Sequence, residues 1–210
     1  AHEIKNPLTP MKLSIQHLQR AIDSGSPHVK ELSERMAATL IEQIDQLSKI
    51  AADFSQFANI GNIKPEVVDL EQVLRSLAGL YSSDGRLSLD LAAEAVDSKI
   101  FADKTQINRL FTNLIKNAIE ASHDNEMINV WLKVMRRDDQ LLVSVTDEGS
   151  GVPAEMRKKI FSPNFTTKSS GTGLGLAICR AIVEKANGSI WFETDEGKGT
   201  TFFVTFPALS

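Results

Sequence analysis

The sequence predicts an α-helical hairpin that pairs into a dimeric four-helix bundle, followed by an α+β two-layer sandwich domain. Three observations lead to this prediction. Apolar residues recur at helical spacing through residues 1–58, the segment GNIKP at 61–65 interrupts that pattern, and helical and strand-like patterns alternate after it. We therefore divide the chain into a helical region at 1–60, a linker at 61–65 and a sandwich domain at 66–210.

The first helix is predicted by a heptad seam, in which apolar residues are separated by four and three positions in turn. The seam consists of Ile4, Leu8, Met11, Ile15, Leu18 and Ile22. The segment DSGSP at 23–27 breaks it, and Ser26 and Pro27 suit the N-cap and first turn of a second helix. The apolar stripe of that helix consists of Leu32, Met36, Leu40, Ile44, Leu47, Ala51, Phe54 and Ala58. Since two helices alone leave apolar faces uncovered, we expect two copies to form the bundle as a homodimer.

Beyond the linker, short helical and strand-like segments alternate, as expected of one sheet covered by helices. The predicted helices lie near Leu70–Leu80, Lys104–Ser122 and Thr172–Ala186. The predicted strands lie near Arg86–Leu91, Lys99–Ala102, Ile128–Val134, Leu141–Thr146, Ser189–Glu193 and Thr200–Phe206, and the turn EGKG joins the last two. Residues 147–171, rich in Gly, Ser, Pro, Thr and Lys, are predicted to form a long loop.

Composition and charge exclude several classes of protein. The formal net charge of −4 over 210 residues argues against a broad nucleic-acid surface, which needs clustered basic residues. No run of about 18 apolar residues occurs, and the first residues lack the order of a secretory signal. The one cysteine, Cys179, excludes a disulfide framework and is compatible with a reducing compartment. We expect this fragment to be cytoplasmic, with any anchoring in the inner membrane supplied by segments outside it.

Two asparagines lie one helical turn apart in FTNLIKNAIEAS at 111–122, with apolar residues on the opposite side of the predicted helix. Asn113 and Asn117 therefore point together. Amide oxygens can complete the coordination of Mg²⁺ when phosphate oxygens supply the charge. Taken alone, such a pair is more often two solvated surface residues.

The segment DEGSG at 147–151 follows an apolar strand. Asp147 therefore lies at the tip of the strand, and Gly149 and Gly151 permit a tight turn and a close backbone approach. A carboxylate in this place can accept a hydrogen bond from an exocyclic amine. By itself, the segment is also an ordinary turn signal.

The glycine-rich segment GTGLGL at 171–176 opens a predicted helix, so that its backbone N–H groups can receive phosphate oxygens. A dinucleotide fingerprint would require a strand immediately before the glycines, and the preceding FSPNFTTKSS is not one. A P-loop would require Gly-Lys-Ser/Thr, which does not follow.

The order of these features resembles the ATPase domain shared by gyrase, Hsp90, histidine kinases and MutL, over residues 66–207. The resemblance implies ATP and Mg²⁺ as cofactors. It places Asn117, with Asn113, at Mg²⁺ and the phosphates, and Asp147 at the adenine amine, with Gly149 and Gly151 shaping the adenine pocket. Residues 152–170 resemble the mobile lid of the family. The remaining nucleotide-site residues that it implies are Phe161 and Phe165 in the lid, Lys168 at the phosphates or in solvent, Gly171, Thr172, Gly173, Leu174 and Gly175 at the phosphate-binding end, and Thr201 at the pocket floor.

The first ten residues, AHEIKNPLTP, resemble the phospho-acceptor segment of histidine kinases, with the pattern His-Glu-x-x-Asn-Pro. His2 and Asn6 lie one turn apart on the face away from the seam. A neutral imidazole is a competent nucleophile, and a neighbouring carboxylate can orient it and take its proton. The resemblance implies that His2 is phosphorylated and that Glu3 is the acid/base. It assigns Asn6 to holding water during dephosphorylation of a partner response regulator.

Residues 117–122, NAIEAS, carry Glu120 and Ala121 where many sensor kinases have Lys-Tyr. Together with HEIKNPLTP, this segment resembles the nitrogen-regulation type of sensor histidine kinase. The resulting prediction is ATP-dependent phosphorylation of His2 and transfer to an aspartate of a response regulator. Two alternatives are an ATP-hydrolysing conformational machine, which would need glutamate where Asn113 stands, and a catalytically silent module that senses nucleotide and dimerises.

Overall fold

The computed structural model describes residues 2–58, 63–81, 87–93, 97–122, 127–163, 165–166 and 171–209. The chain forms two compact units, a helical hairpin and a mixed α/β unit. This arrangement confirms the predicted fold class of a hairpin followed by a two-layer sandwich. Of the predicted linker, only residues 63–65 are described; they are exposed and have no regular structure. The domain boundaries stay a prediction.

The hairpin consists of α1, His2–Asp23, and α2, Val29–Ala58. A Schellman motif ends α1: the N–H of Ser26 donates to the carbonyl of Ala21, and the N–H of Gly25 donates to that of Ile22. Gly25 has a φ of 63°, which glycine adopts without the strain of a Cβ. The second helix begins two residues after Pro27, later than the sequence predicts, because residues 27–28 still belong to the turn.

Both helices of the hairpin leave apolar side chains in solvent. Six residues of the α1 seam and the α2 stripe are between 46% and 67% exposed, namely Ile4, Leu8, Ile15, Ile22, Ile44 and Phe54. A monomeric protein does not normally expose apolar residues in so regular a pattern. Among the described residues, no helix combines the length and the apolar character that crossing a membrane requires.

The second unit places three helices on one face of a five-stranded sheet. Its elements are β1 (Glu66–Asp69), α3 (Leu70–Tyr81), β2 (Leu87–Ala93), β3 (Lys99–Ala102), α4 (Lys104–Ala121), β4 (Ile128–Arg137), β5 (Gln140–Asp147), α5 (Gly175–Lys185), β6 (Ser189–Asp195) and β7 (Gly199–Pro207). The strand order in the large sheet is β2-β4-β5-β7-β6, with β2 and β4 parallel and the other neighbours antiparallel. Strands β1 and β3 form a separate antiparallel pair.

The core lies between α4 and the inner face of the sheet. One face of α4 is fully buried through Ile107, Leu110, Phe111, Leu114, Ile115 and Ala118. The strands contribute every second residue, as the period of a strand requires. These inner residues are Val130, Leu132, Val134, Leu141, Val143, Val145, Phe202, Val204 and Phe206. Asp103 caps α4, since its side chain accepts the N–H of Gln106.

The carboxylate of Asp69 links β1, α3 and the start of β3. Ser98, which is 4% exposed, donates its hydroxyl to Oδ1 of Asp69 at 2.5 Å, and the N–H of Gln72 donates to the same oxygen at 3.2 Å. The hydrogen bond from Ser98 is the main cause that holds the pKa of Asp69 below its ordinary value, while burial opposes it.

We expect Ser98→Ala to raise the pKa of Asp69 and to reduce the free energy of unfolding at neutral pH by about 1–2 kcal/mol. A carboxyl group whose pKa is lowered in the folded state stabilises it above the unfolded pKa, and this contribution is lost as the pH falls through the folded pKa. The difference between wild type and Ser98→Ala should therefore shrink in acid. Denaturant unfolding across pH measures it, and a difference independent of pH would contradict the link to Asp69.

Candidate functional site

Asp147 is a buried carboxylate at the end of β5. It is 4% exposed, and its Oδ1 accepts the backbone N–H of Gly149 at 2.9 Å and that of Thr200 at 3.3 Å. Two peptide donors from different segments therefore fix the direction of the carboxylate. The neighbouring Glu148 is exposed, so the two adjacent acids lie in different environments.

The turn after Asp147 is held between the end of α4 and the β6–β7 turn. The N–H of Ser150 donates to the carbonyl of Ala121 at 3.0 Å, and the N–H of Gly197 donates to the carbonyl of Ser150 at 2.8 Å. A Cβ on Gly149 would lie 2.5 Å from the carbonyl oxygen of Ala121. Gly151 has a φ of 70°, and its Cβ would overlap the backbone of the β6–β7 turn. Both glycines are required by this close packing.

We expect Gly149→Ala to destabilise the second unit by about 1–3 kcal/mol, because the added methyl group meets rigid backbone. Gly79→Ala is the matched control. Gly79 lies exposed in α3 with open space at its Cβ position, and alanine there should stabilise the helix by about 0.5–1 kcal/mol. Thermal unfolding of the two variants compares them directly, and equal shifts in Tm would refute the packing argument.

Asn113 and Asn117 lie one turn apart on α4, and both are half-buried. The thiol of Cys179 in α5 donates to the backbone carbonyl of Leu110 in α4, with 3.7 Å between the sulfur and the oxygen. Burial raises the pKa of the Cys179 thiol to about 12, and the Asn113 side chain and the charge on Arg109 oppose this rise only in part. Cys179 is therefore a protonated core residue. A donor set of neutral amide oxygens fits Mg²⁺ when the cation arrives with phosphate oxygens that supply negative charge.

The predicted lid, residues 152–170, begins with a series of tight turns. Successive N–H groups of Met156, Lys159 and Ser162 each donate to a carbonyl three residues earlier. The ring of Phe161 lies edge-on to Phe192 and Phe202, at centroid distances of 6.0 and 6.4 Å. Phe165 is half-buried against the core. Phe161 is thus packed against the sheet and Phe165 against the core, and Lys168 lies outside the described residues.

The glycine-rich segment ends in the first turn of α5. The helix begins at Gly175, three residues later than predicted, because Gly173 has a φ of 64° that no helix residue adopts. Leu174 occupies the N-cap and has no side-chain oxygen to offer the first N–H groups of α5. Gly171 and Thr172 precede this turn in the chain. The N-terminus of α5 therefore presents backbone N–H donors of the kind that bind phosphate.

Thr201 and Thr200 lie on opposite faces of β7. Thr201 is paired with Thr146, and their hydroxyl oxygens are 3.0 Å apart on the face away from Asp147. Thr200 is opposite Asp147 and supplies the N–H that reaches its carboxylate. Thr201 therefore lies on the face of the sheet away from Asp147, whereas Thr200, which sequence reasoning missed, contacts the Asp147 carboxylate.

His2 is the first residue of α1. The side chains of His2 and Glu3 lie outside the part of the chain that the structure describes. Asn6, one turn later, is exposed, and Ile4 between them is 51% exposed. The predicted acceptor segment thus lies in a helix, as expected.

Comparison with known families gives two matches. Residues 102–210 match the family described as histidine kinase-, DNA gyrase B-, and HSP90-like ATPase. Residues 1–63 match the His Kinase A (phospho-acceptor) domain.

Three curated relatives are similar to nearly the whole of this chain. The chain is 31% identical to sporulation kinase E of Bacillus subtilis over 99% of its length, and 31% identical to sensor histidine kinase ZraS of Salmonella typhimurium over 100% of its length. Nitrogen regulation protein NtrY of Azorhizobium caulinodans is 29% identical over 99% of the chain. The chain spans 27%, 44% and 28% of these three proteins respectively.

Solved structures share the fold. A crystal structure of histidine kinase ThkA in complex with the response regulator protein TrrA covers 100% of this chain at 27% identity, with a TM-score of 0.74 and 60% of that chain matched. The structure of full-length ShkA in complex with AMPPNP covers 86% of this chain at 26% identity, with a TM-score of 0.71 and 39% of that chain matched.

Proposed function

We propose that this chain, which belongs to the family of histidine kinase-, DNA gyrase B- and HSP90-like ATPases, transfers the γ-phosphoryl group of ATP to its own His2. The observation that carries the proposal is the presence of two parts in one chain. One is a helix that begins at His2 within a match to a phospho-acceptor domain, and the other is a fold with an oriented, buried carboxylate at Asp147. ATP hydrolysis alone would need only the second part.

The adenine base binds at Asp147 in this proposal. Because backbone N–H groups of Gly149 and Thr200 fix the carboxylate, it accepts the exocyclic amine in one direction and selects adenine over bases without that donor. Gly149 and Gly151 allow the backbone to approach the ring. The phosphates bind at the start of α5 and the end of the lid, with Lys168, Gly171, Thr172, Gly173, Leu174 and Gly175.

Asn113 and Asn117 hold Mg²⁺ through their amide oxygens, together with the phosphates of the nucleotide. When bound, Mg²⁺ neutralises charge on the phosphate oxygens. The hydrogen bond from the Cys179 thiol to the Leu110 carbonyl holds this part of α4, which carries Asn113, against α5. The two asparagines therefore position the triphosphate relative to the adenine.

Phosphoryl transfer begins with attack by the unprotonated ring nitrogen of His2 on the γ-phosphorus. A nitrogen–phosphorus bond forms while the bond to the β–γ bridging oxygen breaks, and ADP leaves. Glu3 orients the ring and accepts its proton. The protein contributes mainly position and electrostatics, as in other phosphoryl transfers.

The hairpin forms a homodimer in this proposal, because its apolar stripe is exposed in a single chain. We expect light scattering to give about twice the 23.1 kDa of one chain at micromolar concentration. Ile44→Glu, within the stripe, should shift the mass towards one chain. Val67→Glu, at a 60% exposed apolar position of the second unit, should not. A wild-type mass of one chain would contradict the bundle.

The phosphoryl group then passes to an aspartate of a response-regulator receiver domain. In a separate reaction, Asn6 holds the water that hydrolyses this phosphoaspartate to aspartate and inorganic phosphate. The complex of ThkA with a response regulator supports this class of partner. We place both reactions in the cytoplasm, where ATP is available.

The main alternative function is ATP hydrolysis that drives a conformational cycle. Position 113, four residues before Asn117, carries asparagine and not the glutamate that would activate water. Incubation with γ-labelled ATP and Mg²⁺ separates the possibilities. A kinase accumulates labelled protein that is stable in base and labile in acid, whereas a hydrolase releases labelled phosphate and a silent module does neither.

A further inference from the structure

Thr194 is a half-buried residue of the edge strand β6 whose hydroxyl joins three segments of the second unit. Its Oγ1 accepts the backbone N–H of Val152 at 2.9 Å. The same oxygen lies 3.0 Å from the carbonyl oxygen of Gly199 and 3.0 Å from the hydroxyl oxygen of Thr200. One hydroxyl group thus links its own strand, β6, to the loop after β5 and to the start of strand β7.

The Thr194 hydroxyl can make all three hydrogen bonds at once, as one donor and two acceptors. Thr194 has one hydroxyl proton, which it donates to the carbonyl of Gly199. Its lone pairs accept from the N–H of Val152 and from the hydroxyl of Thr200. A valine in place of Thr194 has nearly the same shape. It would leave the N–H of half-buried Val152, and the carbonyl and hydroxyl of buried Gly199 and Thr200, without this partner.

The contact partners of Thr194 connect it both to Asp147 and to the start of the predicted lid. Thr200 donates its N–H to Oδ1 of Asp147 at 3.3 Å. Val152 follows Gly151 and is the first residue of the predicted lid, 152–170. Thr194 therefore lies between the carboxylate that we assign to adenine and the point at which the lid leaves the sheet.

We propose that Thr194 is a positioning residue for the nucleotide, which fixes the start of the lid at Val152 relative to Asp147 and thereby increases the affinity for ATP. This inference rests on the proposed function, since it requires ATP to bind at Asp147. Thr194 acts through Val152 and Thr200, so its loss should weaken binding without changing the phosphoryl-transfer step. The expected result is a higher KM for ATP with an unchanged kcat.

The test compares Thr194→Val, Thr194→Ser and Thr146→Val with wild type. Calorimetry with AMPPNP and Mg²⁺ should give about tenfold weaker binding for Thr194→Val, the effect of one lost hydrogen bond. Thr194→Ser keeps the hydroxyl and should bind as wild type does. Thr146→Val breaks the comparable hydrogen bond between Thr146 and Thr201 on the opposite face of the same sheet, and this variant should also bind normally.

Amide hydrogen exchange in nucleotide-free protein gives a second measurement that does not depend on ATP. The N–H of Val152 should exchange faster in Thr194→Val and at the wild-type rate in Thr194→Ser and Thr146→Val. Unchanged affinity in Thr194→Val, or equal losses in all three variants, would overturn the inference. If wild type fails to bind AMPPNP while Val152 exchanges as expected, the proposed function is wrong, and the inference that depends on it is wrong as well.

Discussion

Replacing His2 with glutamine should abolish phosphoprotein formation and leave the affinity for ATP unchanged. Glutamine keeps a polar side chain at the start of α1 but has no nucleophilic nitrogen. The proposed acceptor lies in the hairpin and the carboxylate of the predicted adenine pocket lies in the second unit, so binding and chemistry should separate. Labelled phosphate retained by the protein measures the first property, and calorimetry with AMPPNP measures the second.

His17→Gln is the matched control for this experiment. His17 is exposed on the same helix, four turns further along, and matches no motif. This variant should accumulate label at the wild-type rate. Label on His2→Gln protein, or loss of label in His17→Gln alone, would show that another residue is the acceptor.

Asp147→Asn should weaken ATP binding about 10- to 100-fold. An amide nitrogen facing the adenine amine replaces an acceptor with a donor, and a buried mismatch of this kind costs about 1–3 kcal/mol. The change is nearly isosteric, and the oxygen of the amide can still accept the N–H of Gly149 or Thr200. The fold should therefore survive, and calorimetry should report the loss of affinity directly.

Glu148→Gln is the control, because it also replaces a carboxylate with the corresponding amide and removes one negative charge next to Asp147. Glu148 is exposed, whereas Asp147 is buried, so the control should bind ATP within about twofold of wild type. Unchanged affinity in Asp147→Asn would show that Asp147 does not bind adenine. Equal weakening in both variants would show that the loss of negative charge, and not the contact with adenine, lowers the affinity.

Long elements with a clear apolar period were predictable from the sequence. The buried face of α4 has helical spacing, and the predicted helix Lys104–Ser122 differs from the observed Lys104–Ala121 by one residue. The short strand β1 was missed because its four residues, Glu66–Asp69, show little alternation and depend on pairing with β3, in which the partner of Glu66 is Ala102 and that of Asp69 is Lys99. Non-local pairing of this kind leaves no local signal.

The candidate site was predictable where a residue's place follows from the end of a strand. Asp147, Gly149 and Gly151 are examples, since the apolar run of β5 fixes where the turn begins. Thr201 was assigned to the pocket through the family resemblance, although the alternation of Phe202, Val204 and Phe206 puts Thr200 on the inner face. That signal was present in the sequence and could have identified Thr200.

Thr194 could not have been found in the same way. Its importance comes from contacts with Val152, Gly199 and Thr200, which are brought together only when the β6–β7 hairpin folds against the loop after β5. The sequence contains many threonines in strands, and no local pattern distinguishes the one that joins three segments.

The measurement that tests the central claim most directly is the location of the transferred phosphoryl group. Wild-type protein would be incubated with ATP and Mg²⁺, digested with trypsin at alkaline pH to preserve phosphohistidine, and analysed by mass spectrometry. We predict that the group is on His2, in the peptide formed by residues 1–5. A phosphoryl group on any other residue, or ATP turnover without phosphoprotein, would contradict the proposal that this chain is a histidine kinase acting on His2.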